Sequence, residues 1–238
     1  MKIELLHLQE IDSTNTYLKT QTLPFGTVAY TQNQTAGRGR MGRSWQGGGG
    51  VALSVLVPTG DAQLPLIASI AAARVLQNLL GLPMQIKWPN DILLNGKKLV
   101  GILTEMDCDM EKIHSVTVGM GINVNTKAFP EDLQDIATSL YLVSCKEYDR
   151  AEIVGCVLKH FEALYEEFLE KGGVFAPFKE RYRERCLNIG KEVRVIGRET
   201  YLATALDITP EGELIVKRMD NGAEEVVFSG EVSIREKE

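Results

Sequence analysis

The sequence has few of the residues that build metal centres and disulfide frameworks. Its 238 residues include four cysteines and three histidines. The cysteines form no C-x-x-C pair and lie near no histidine at metal-ligand spacing, so the pattern predicts neither a zinc site nor a disulfide framework. Scattered cysteines of this kind are typical of free thiols in a reducing cytoplasm. The histidines His7, His114 and His160 lie far apart in strand-like or helix-like segments, which favours structural roles for them.

Long apolar runs and an excess of positive charge are also absent. No stretch approaches the roughly 18 apolar residues of a membrane span, and residues 1–15 lack the charged-then-apolar pattern of a signal peptide. The formal net charge of −6 argues against a general binder of nucleic acids or anionic membrane surfaces. With 44% hydrophobic residues, the chain is predicted to be a globular cytoplasmic protein that builds its own core.

Most of the chain mixes strand-like and helix-like patterns, which predicts an α+β domain. An alanine- and leucine-rich helix is predicted over residues 62–80. An amphipathic helix is predicted over 151–171, and a further helix over 175–186. Between the first two helices, Asn95 and Gly96 form the strongest short signal for a hairpin turn.

The pattern changes near residue 187. From Gly190 onward the chain contains only short strand-like runs, separated by glycine and Asn-Gly at roughly ten-residue spacing. That spacing is typical of a small β-barrel. We therefore predict a large domain over 1–187 and a small β-barrel domain over 188–238.

The segment "AGRGRMGRSW", residues 36–45, is called the arginine loop below. It places Arg38, Arg40 and Arg43 among glycines such as Gly39 in an otherwise acidic protein. Guanidinium groups fit carboxylates and phosphates bidentately, and glycines let the backbone approach an anion. A solvated surface loop explains the composition alone at least as well, but Trp45 favours a ligand that its ring covers. The loop is not a P-loop, because G-x-x-x-x-G-K-[ST] is absent, and it is not a dinucleotide fingerprint, because no helix pattern follows it.

Two polar segments follow downstream. "KWPND" places Lys87 and Asp91 around a proline that interrupts a strand, although an ordinary turn has the same composition. Lys98 begins the return strand of the hairpin, where a solvated lysine is the simpler interpretation. Gly101 and Glu105 lie in the same strand, and a glycine there often marks a close approach by a ligand.

Two further segments place polar residues where a core or a helix end is expected. Asn123 lies in the apolar run "GMGINVN", so it needs internal partners or a ligand. Ser13, Thr14 and Asn15 belong to "DSTN", which predicts a helix N-cap. The free N–H groups of such a helix end can also bind a polar head group.

The motifs "DSTN", "QTAGRGRMGRSW", "KWPND", "KLVGILTE", "GINVN" and "SGEVSIR", in this order, resemble those of the biotin–protein ligases. The match runs from about residue 11 to 125 and recurs at the C-terminus, and G-R-G-R-x-G-R-x-W followed by K-W-P-N-D is highly specific. The resemblance implies a mixed β-sheet flanked by helices, as in class II aminoacyl-tRNA synthetases and lipoate ligases, followed by a small SH3-like β-barrel.

The resemblance also implies a reaction and its cofactors. Biotin and ATP, with Mg²⁺, would form biotinyl-5′-AMP and pyrophosphate. A lysine of a biotin carboxyl carrier protein, such as an acetyl-CoA carboxylase subunit, would then attack the adenylate. No covalent enzyme nucleophile is needed, which agrees with the lack of a Ser/His or Cys/His pattern.

The resemblance also implies a role for each residue that matches a family motif. Ser13, Thr14 and Asn15 would bind the biotin ureido head. Gln34, Arg38, Gly39 and Arg40 would contact biotin or its acyl phosphate. Lys98, beside Gly101, would span carboxylate and α-phosphate, with Arg43 and Lys87 as further cations. Trp45 and Asn123 would lie toward the nucleotide, and Asp91 would orient the incoming lysine or hold Mg²⁺. We expect residues 36–50 to be loose when the site is empty.

Two features depart from the family pattern, and alternatives stay open. Val51-Ala52 replaces a bulky aliphatic–aromatic pair, which would alter the pocket wall. The first motif begins near residue 12, so we expect no DNA-binding domain before it and no nucleic-acid partner. Edge strands of the sheet offer a route to a homodimer. The alternatives are a lipoate or octanoate ligase, which should lack the arginine loop, and a non-catalytic biotin-binding module.

Overall fold

A computed structural model of the chain describes residues 2–45, 48–59, 63–109, 112–197 and 199–228, and the backbone of 233–236. The strands are β1 (Glu4–Leu8), β2 (Thr27–Thr31), β3 (Val51–Val57), β4 (Gln85–Lys87), β5 (Asp91–Leu94), β6 (Lys97–Cys108), β7 (Ile113–Ile122), β8 (Glu192–Ile196), β9 (Thr200–Ile208), β10 (Leu214–Arg218), β11 (Glu224–Val227) and β12 (Ser233–Glu236). The helices are α1 (Thr14–Thr20), α2 (Leu64–Leu80), α3 (Leu140–Ser144), α4 (Arg150–Glu170) and α5 (Lys179–Arg183).

The first seven strands form one mixed sheet in the order β1-β2-β3-β7-β6-β5-β4. β1 pairs with β2 in parallel, and the other neighbouring strands pair antiparallel. The predicted hairpin joins β5 to β6 through Asn95 and Gly96, both with positive φ. This sheet confirms the mixed architecture expected from the sequence.

Helices cover both faces of the mixed sheet. β3 is buried along its whole length, because it lies near the middle of the sheet and is covered on both sides. Alternate residues of a strand point to opposite faces. Val55 packs in the main core with α2 and α4, whereas Leu56 packs with Leu18 of α1. α1 therefore lies on the opposite face from α2 and α4, and it carries part of the site described below.

Helix ends follow their capping signals. α2 has a proline in its first turn and ends at Gly81, whose φ of 68° few other residues adopt. Residues 60–62, at the predicted start of this helix, lie outside the described residues. α4 begins after Asp149, whose carboxylate accepts a hydrogen bond from the Ala151 N–H at 2.8 Å. No helix of the described residues is long and apolar enough to cross a membrane.

The helix predicted over 175–186 is shorter than expected. The chain forms a 3-10 turn at Ala176–Phe178 and then α5. Beyond α5 the backbone turns to the edge strand β4, where Ile86 N donates to Arg185 O at 2.7 Å and Leu187 N donates to Ile86 O at 2.8 Å. Those bonds to β4 replace the helical bonds that the composition predicted.

The last five strands form an antiparallel sheet in the order β11-β10-β9-β8-β12. This arrangement confirms the small SH3-like unit expected after residue 187. Residues 229–232, which open the motif "SGEVSIR", lie outside the described residues. The division into two domains at residue 187 stays a prediction.

The segment "KWPND" is anchored where the two sheets meet. The buried Trp88 N–H donates to Asn188 Oδ1 at 2.7 Å, and its indole Nε1 donates to Gly212 O at 2.9 Å. The Trp88–Pro89 peptide is cis, and Pro89 O accepts a hydrogen bond from the Tyr182 hydroxyl at 3.1 Å. Residues of α5, of the segment before β8 and of the turn between β9 and β10 thereby support the strand break that carries Lys87 and Asp91.

We predict that Asn188→Ala destabilises the protein by about 1–3 kcal/mol, because the buried Trp88 N–H loses its acceptor. Equilibrium urea unfolding measures this. Asn221→Ala is the matched control, since Asn221 Oδ1 also accepts a backbone N–H, from Ala223, but in an exposed turn. Equal losses in both variants would contradict the anchoring role of Asn188.

Candidate active site

One cleft of about 810 Å³ opens on the face of the mixed sheet that carries α1 and the arginine loop. All the residues that the sequence predicted for the site line this cleft. They are Ser13, Thr14, Asn15, Gln34, Arg38, Gly39, Arg40, Arg43, Trp45, Lys87, Asp91, Lys98, Gly101 and Asn123. The fold therefore brings them together, although it does not test the role of each.

Buried polar groups at the start of α1 form one end of the cleft. Ser13 caps the helix, as predicted, by accepting from Thr16 N. The Thr14 N–H donates to Gln34 Oε1 at 2.9 Å. The buried Ser54 hydroxyl lies 2.7 Å from Thr14 Oγ1 and 2.6 Å from Asn15 Oδ1, within hydrogen-bonding distance of both. This end of the cleft presents fixed amide and hydroxyl groups.

Glu105 connects this polar end to the arginine loop. Its carboxylate accepts from Asn15 Nδ2 at 2.9 Å and from Lys19 Nζ at 3.2 Å, and lies 3.3 Å from Arg38 Nη2. Burial alone would raise the pKa of Glu105. The hydrogen bonds from Asn15 and Lys19, with the charges of Lys19 and Arg38, outweigh burial and lower that pKa below its ordinary value.

The arginine loop folds back on itself as an irregular hairpin. Gly39 N donates to Arg43 O at 2.7 Å, and Trp45 N donates to Gly37 O at 2.8 Å. Met41, at the tip, has a φ of 56° and is exposed. Residues 46 and 47 lie outside the described residues, and the loosening expected without ligand stays a prediction.

Trp45 lies directly on the backbone of the sheet. A Cβ atom added at Gly121 would lie 2.3 Å from Trp45 Cε2, and one added at Gly101 would lie 2.8 Å from Trp45 Cζ3. Gly101 and Gly121 are paired across β6 and β7. Gly119, two residues earlier, leaves room for Asn15 in the same way, at 2.2 Å from Asn15 Oδ1. These glycines are present because side chains from other elements occupy their space.

Arg40 lies deeper in the cleft than the other two loop arginines. Its Nη1 donates to Asn90 Oδ1 at 3.0 Å, and Asn90 in turn donates to Ile102 O. Burial lowers the pKa of Arg40 below its ordinary value and Arg43 adds to this, while Asp91 opposes it. The protein therefore holds a partly desolvated cation here, which an anionic ligand would stabilise.

Lys98 faces the same space from the start of β6. Its Nζ lies 2.8 Å from Asp91 Oδ1 and 5.6 Å from the centre of the Trp45 ring. Backbone bonds fix this position, since Lys98 N donates to Ile136 O at 2.8 Å and Thr138 N donates to Lys98 O at 2.9 Å. The cleft thus has a polar end, an aromatic wall and converging cations between them.

Two family models match the sequence of this chain. The model of the Biotin/lipoate A/B protein ligase family matches residues 8–123, and that of the Biotin protein ligase C terminal domain matches residues 189–235. The bifunctional ligase/repressor BirA of Bacillus subtilis is 38% identical over 227 residues, which is 91% of this chain and 69% of that protein. The chain belongs to the biotin protein ligase family.

Other relatives agree with that assignment. The biotin--[acetyl-CoA-carboxylase] ligase of Mycobacterium tuberculosis is 35% identical and is covered over 77% of its length. A structure of the biotin protein ligase from Aquifex aeolicus in complex with biotin and ATP is 33% identical, with a TM-score of 0.89 over 98% of this chain and 99% of that chain. The chain spans 65% of the BirA of Bacillus spizizenii. The biotin ligase fold expected from the motifs is confirmed.

Asn123 and the two remaining cations, Arg43 and Lys87, also line the cleft. Asn123 is buried, its N–H donates to Leu99 O at 3.0 Å, and its Nδ2 lies 3.5 Å from Lys98 O. Arg43 is exposed and Lys87 is partly buried. Asn123 therefore has internal partners, which was one of the two interpretations that the sequence left open.

Asp91 was expected to orient the incoming lysine or to hold a magnesium ion. The described residues contain no group of three or more acidic, histidine or cysteine side chains that could hold a metal ion. Mg²⁺ commonly takes one or two carboxylates together with substrate phosphates and water. Asp91 Oδ1 is buried and contacts Lys98 as an ion pair without hydrogen-bond geometry. The single carboxylate of Asp91, already ion-paired to Lys98, therefore fits only a site that substrate phosphates and water complete.

The sequence did not predict the contacts that Ser54, Glu105 and Asn90 make with other site residues. Ser54 was readable only as a lone hydroxyl in the apolar run "VALSVLV". Glu105 and Asn90 stood inside the motifs, but their partners Asn15 and Arg40 lie far away in sequence. Strand register, which the motifs do not specify, brings these pairs together.

We predict that Gly121→Ala displaces Trp45, because the added methyl group would overlap its ring. The tryptophan emission should shift to longer wavelength as Trp45 becomes hydrated, while Trp88 stays buried. Gly155→Ala on α4 is the control, since a Cβ there meets nothing within 4 Å. An unshifted spectrum in Gly121→Ala would show that Trp45 does not lie on this backbone.

Proposed function

We propose that the chain uses ATP to convert biotin to biotinyl-5′-AMP and then transfers biotin to a lysine of a carrier protein. The observation that carries this proposal is the convergence of Arg38, Arg40, Arg43, Lys87 and Lys98 on one cleft of an acidic protein. Biotin carboxylate and ATP repel each other, so their condensation needs such a cluster. The related Aquifex aeolicus structure is a complex with biotin and ATP.

In the first step, a carboxylate oxygen of biotin attacks the α-phosphorus of ATP, and the bond to pyrophosphate breaks. Lys98 would contact both the carboxylate and the α-phosphate. Arg38 and Arg40 would stabilise the charge that develops on the phosphoryl oxygens. Arg43 and Lys87 would attract the triphosphate as it arrives. In the second step, the carrier amine attacks the acyl carbon and AMP leaves. Both steps require positioning more than covalent help from the enzyme.

The two ends of the cleft would hold the two substrates. Thr14, Asn15 and Gln34 have fixed amide and hydroxyl groups, which suit the ureido head of biotin. Trp45 offers an aromatic surface for the nucleotide, with Asn123 nearby. We propose that Asp91 either orients the incoming lysine or is the carboxylate that would hold Mg²⁺ with the ATP phosphates. The ion would neutralise phosphate charge there.

The carrier is proposed to be a biotin carboxyl carrier protein, such as a subunit of acetyl-CoA carboxylase. The Mycobacterium tuberculosis relative, named a biotin--[acetyl-CoA-carboxylase] ligase, supports this target. A cytoplasmic location, a homodimer and the lack of a nucleic-acid partner stay predictions from the sequence.

A lipoate or octanoate ligase is the main alternative, because the family that matches residues 8–123 includes lipoate ligases. The match of residues 189–235 to the C-terminal domain of biotin ligases favours biotin. A non-catalytic biotin-binding module would not need five cations around the cleft. Ala52, where a bulkier side chain was expected, lines the cleft and makes the acid selectivity worth measuring.

Pyrophosphate exchange into ATP tests the activity directly. Exchange should depend on biotin and should be negligible with lipoate or octanoate. Exchange with lipoate or octanoate and none with biotin would replace the proposal by the alternative. No exchange with any acid, together with measurable biotin binding, would favour the non-catalytic module.

We predict that Lys98→Ala slows biotin-dependent exchange by about a hundredfold or more, because one preorganised cation at the reacting groups is lost. Lys97→Ala is the matched control, since Lys97 is the neighbouring lysine and bonds Gln134 O at 2.7 Å. Thermal unfolding of both variants checks the fold. A rate for Lys98→Ala equal to that of Lys97→Ala would remove Lys98 from the mechanism.

A further inference from the structure

Glu105 contacts both the polar end of the cleft and the arginine loop. It lies in β6 below the arginine loop, and it also lines a second cavity of about 200 Å³ between that loop and β6. Arg38, Arg40 and Arg43 line the same cavity. Among the described residues that line it, Glu105 is the one acidic side chain. Its partners, however, include Asn15 at the polar end as well as Arg38 of the loop.

The bond to Glu105 fixes which way the Asn15 amide points. Asn15 Nδ2 has two protons, and they are directed to Glu105 Oε2 at 2.9 Å and Leu103 O at 3.2 Å. The amide oxygen therefore faces Ser54, whose hydroxyl lies 2.6 Å away, on the side of Asn15 that lines the cleft. A ureido N–H needs such an acceptor. With its nitrogen toward the cleft, Asn15 would offer a donor instead.

The same carboxylate holds the arginine loop. Arg38 Nη2 lies 3.3 Å from both Glu105 oxygens and donates to Thr16 Oγ1 at 3.0 Å. The cavity separates the middle of the loop from β6, and the side chain at its tip, Met41, is 72% exposed. Apolar packing therefore contributes little there, and the polar contacts of Arg38 fix this side of the loop to α1 and β6.

We propose that Glu105 is a positioning residue that couples the head-group site to closure of the arginine loop. Its carboxylate orients the Asn15 amide so that the oxygen accepts hydrogen bonds from the ligand, and it also keeps Arg38 over the cleft. An occupied head-group site and a closed loop therefore favour each other. The effect of Glu105 falls on the retention of the reactive adenylate. This inference rests on the proposed biotin activation.

Glu105→Gln separates the two contacts. Glutamine keeps the size of the side chain and an oxygen that accepts from Asn15, but it removes the charge that binds Arg38 and Lys19. We expect biotin affinity without ATP, measured by calorimetry, to stay within about twofold. Dissociation of the preformed adenylate, measured by quenched-flow chase, should become about threefold to tenfold faster, as expected for a partly exposed ion pair. Glu105→Leu removes both contacts and should weaken biotin binding as well.

Two comparisons make the result specific to the coupling. Glu167 of α4 lies outside the cleft, and its carboxylate accepts hydrogen bonds from Arg181 at 2.8 and 2.9 Å. Glu167→Gln removes that carboxylate and should leave adenylate retention unchanged. If Glu105 acts through Arg38, the effects of Glu105→Gln and Arg38→Gln on adenylate dissociation should not be additive. Thermal unfolding of every variant separates these effects from a loss of fold.

Adenylate dissociation in Glu105→Gln equal to that of the unchanged protein would overturn the inference. So would additive effects in the double variant, or an unchanged biotin affinity in Glu105→Leu. Should the unchanged protein fail to form the adenylate, the proposed function itself would be wrong. The wild-type measurement therefore distinguishes the two failures.

Discussion

Mutual repulsion among the five cationic side chains of the cleft is the constraint on which the rest of the site depends. An acidic protein that gathers such a cluster must hold the charges close together before any substrate arrives. Asp91 pairs with Lys98, and Glu105 pairs with Arg38, so each carboxylate offsets part of the repulsion. Arg40 stays partly desolvated, and burial lowers its pKa. A ligand with several negative charges would relieve the remaining repulsion, as the proposed condensation of a carboxylate with ATP requires.

Three glycines of the mixed sheet are as important to the site as its charged side chains. Gly101, Gly119 and Gly121 leave the strand backbone bare, so Trp45 and Asn15 approach it within the space of a Cβ atom. The arginine loop and α1 are thereby seated on a rigid sheet, which fixes functional groups better than a loop alone would. A methyl group added at any of these three glycines would overlap Trp45 or Asn15, and would displace that side chain from its position beside the cations.

The motifs allowed most of the site to be predicted, because each carries its chemistry in a short stretch of chain. They did not reveal the parts of Ser54 and Glu105, since the partners of Glu105 are 67 to 90 residues away and meet it through strand pairing. Similarly, composition predicted a helix over 175–186, but hydrogen bonds to the edge strand β4 end it early. Short-range patterns identify elements well, whereas contacts between distant elements depend on register and on competition for backbone partners.

The central claim is that this cleft makes and holds a biotinyl-adenylate. The most direct test is mass spectrometry of the protein after incubation with biotin, ATP and Mg²⁺ in the absence of any carrier, followed by gel filtration under native conditions. The account predicts biotinyl-5′-AMP bound to the folded protein at close to one equivalent. Recovery of the protein with unreacted biotin and ATP, or with the adenylate of another acid from an equimolar mixture that includes biotin, would contradict it.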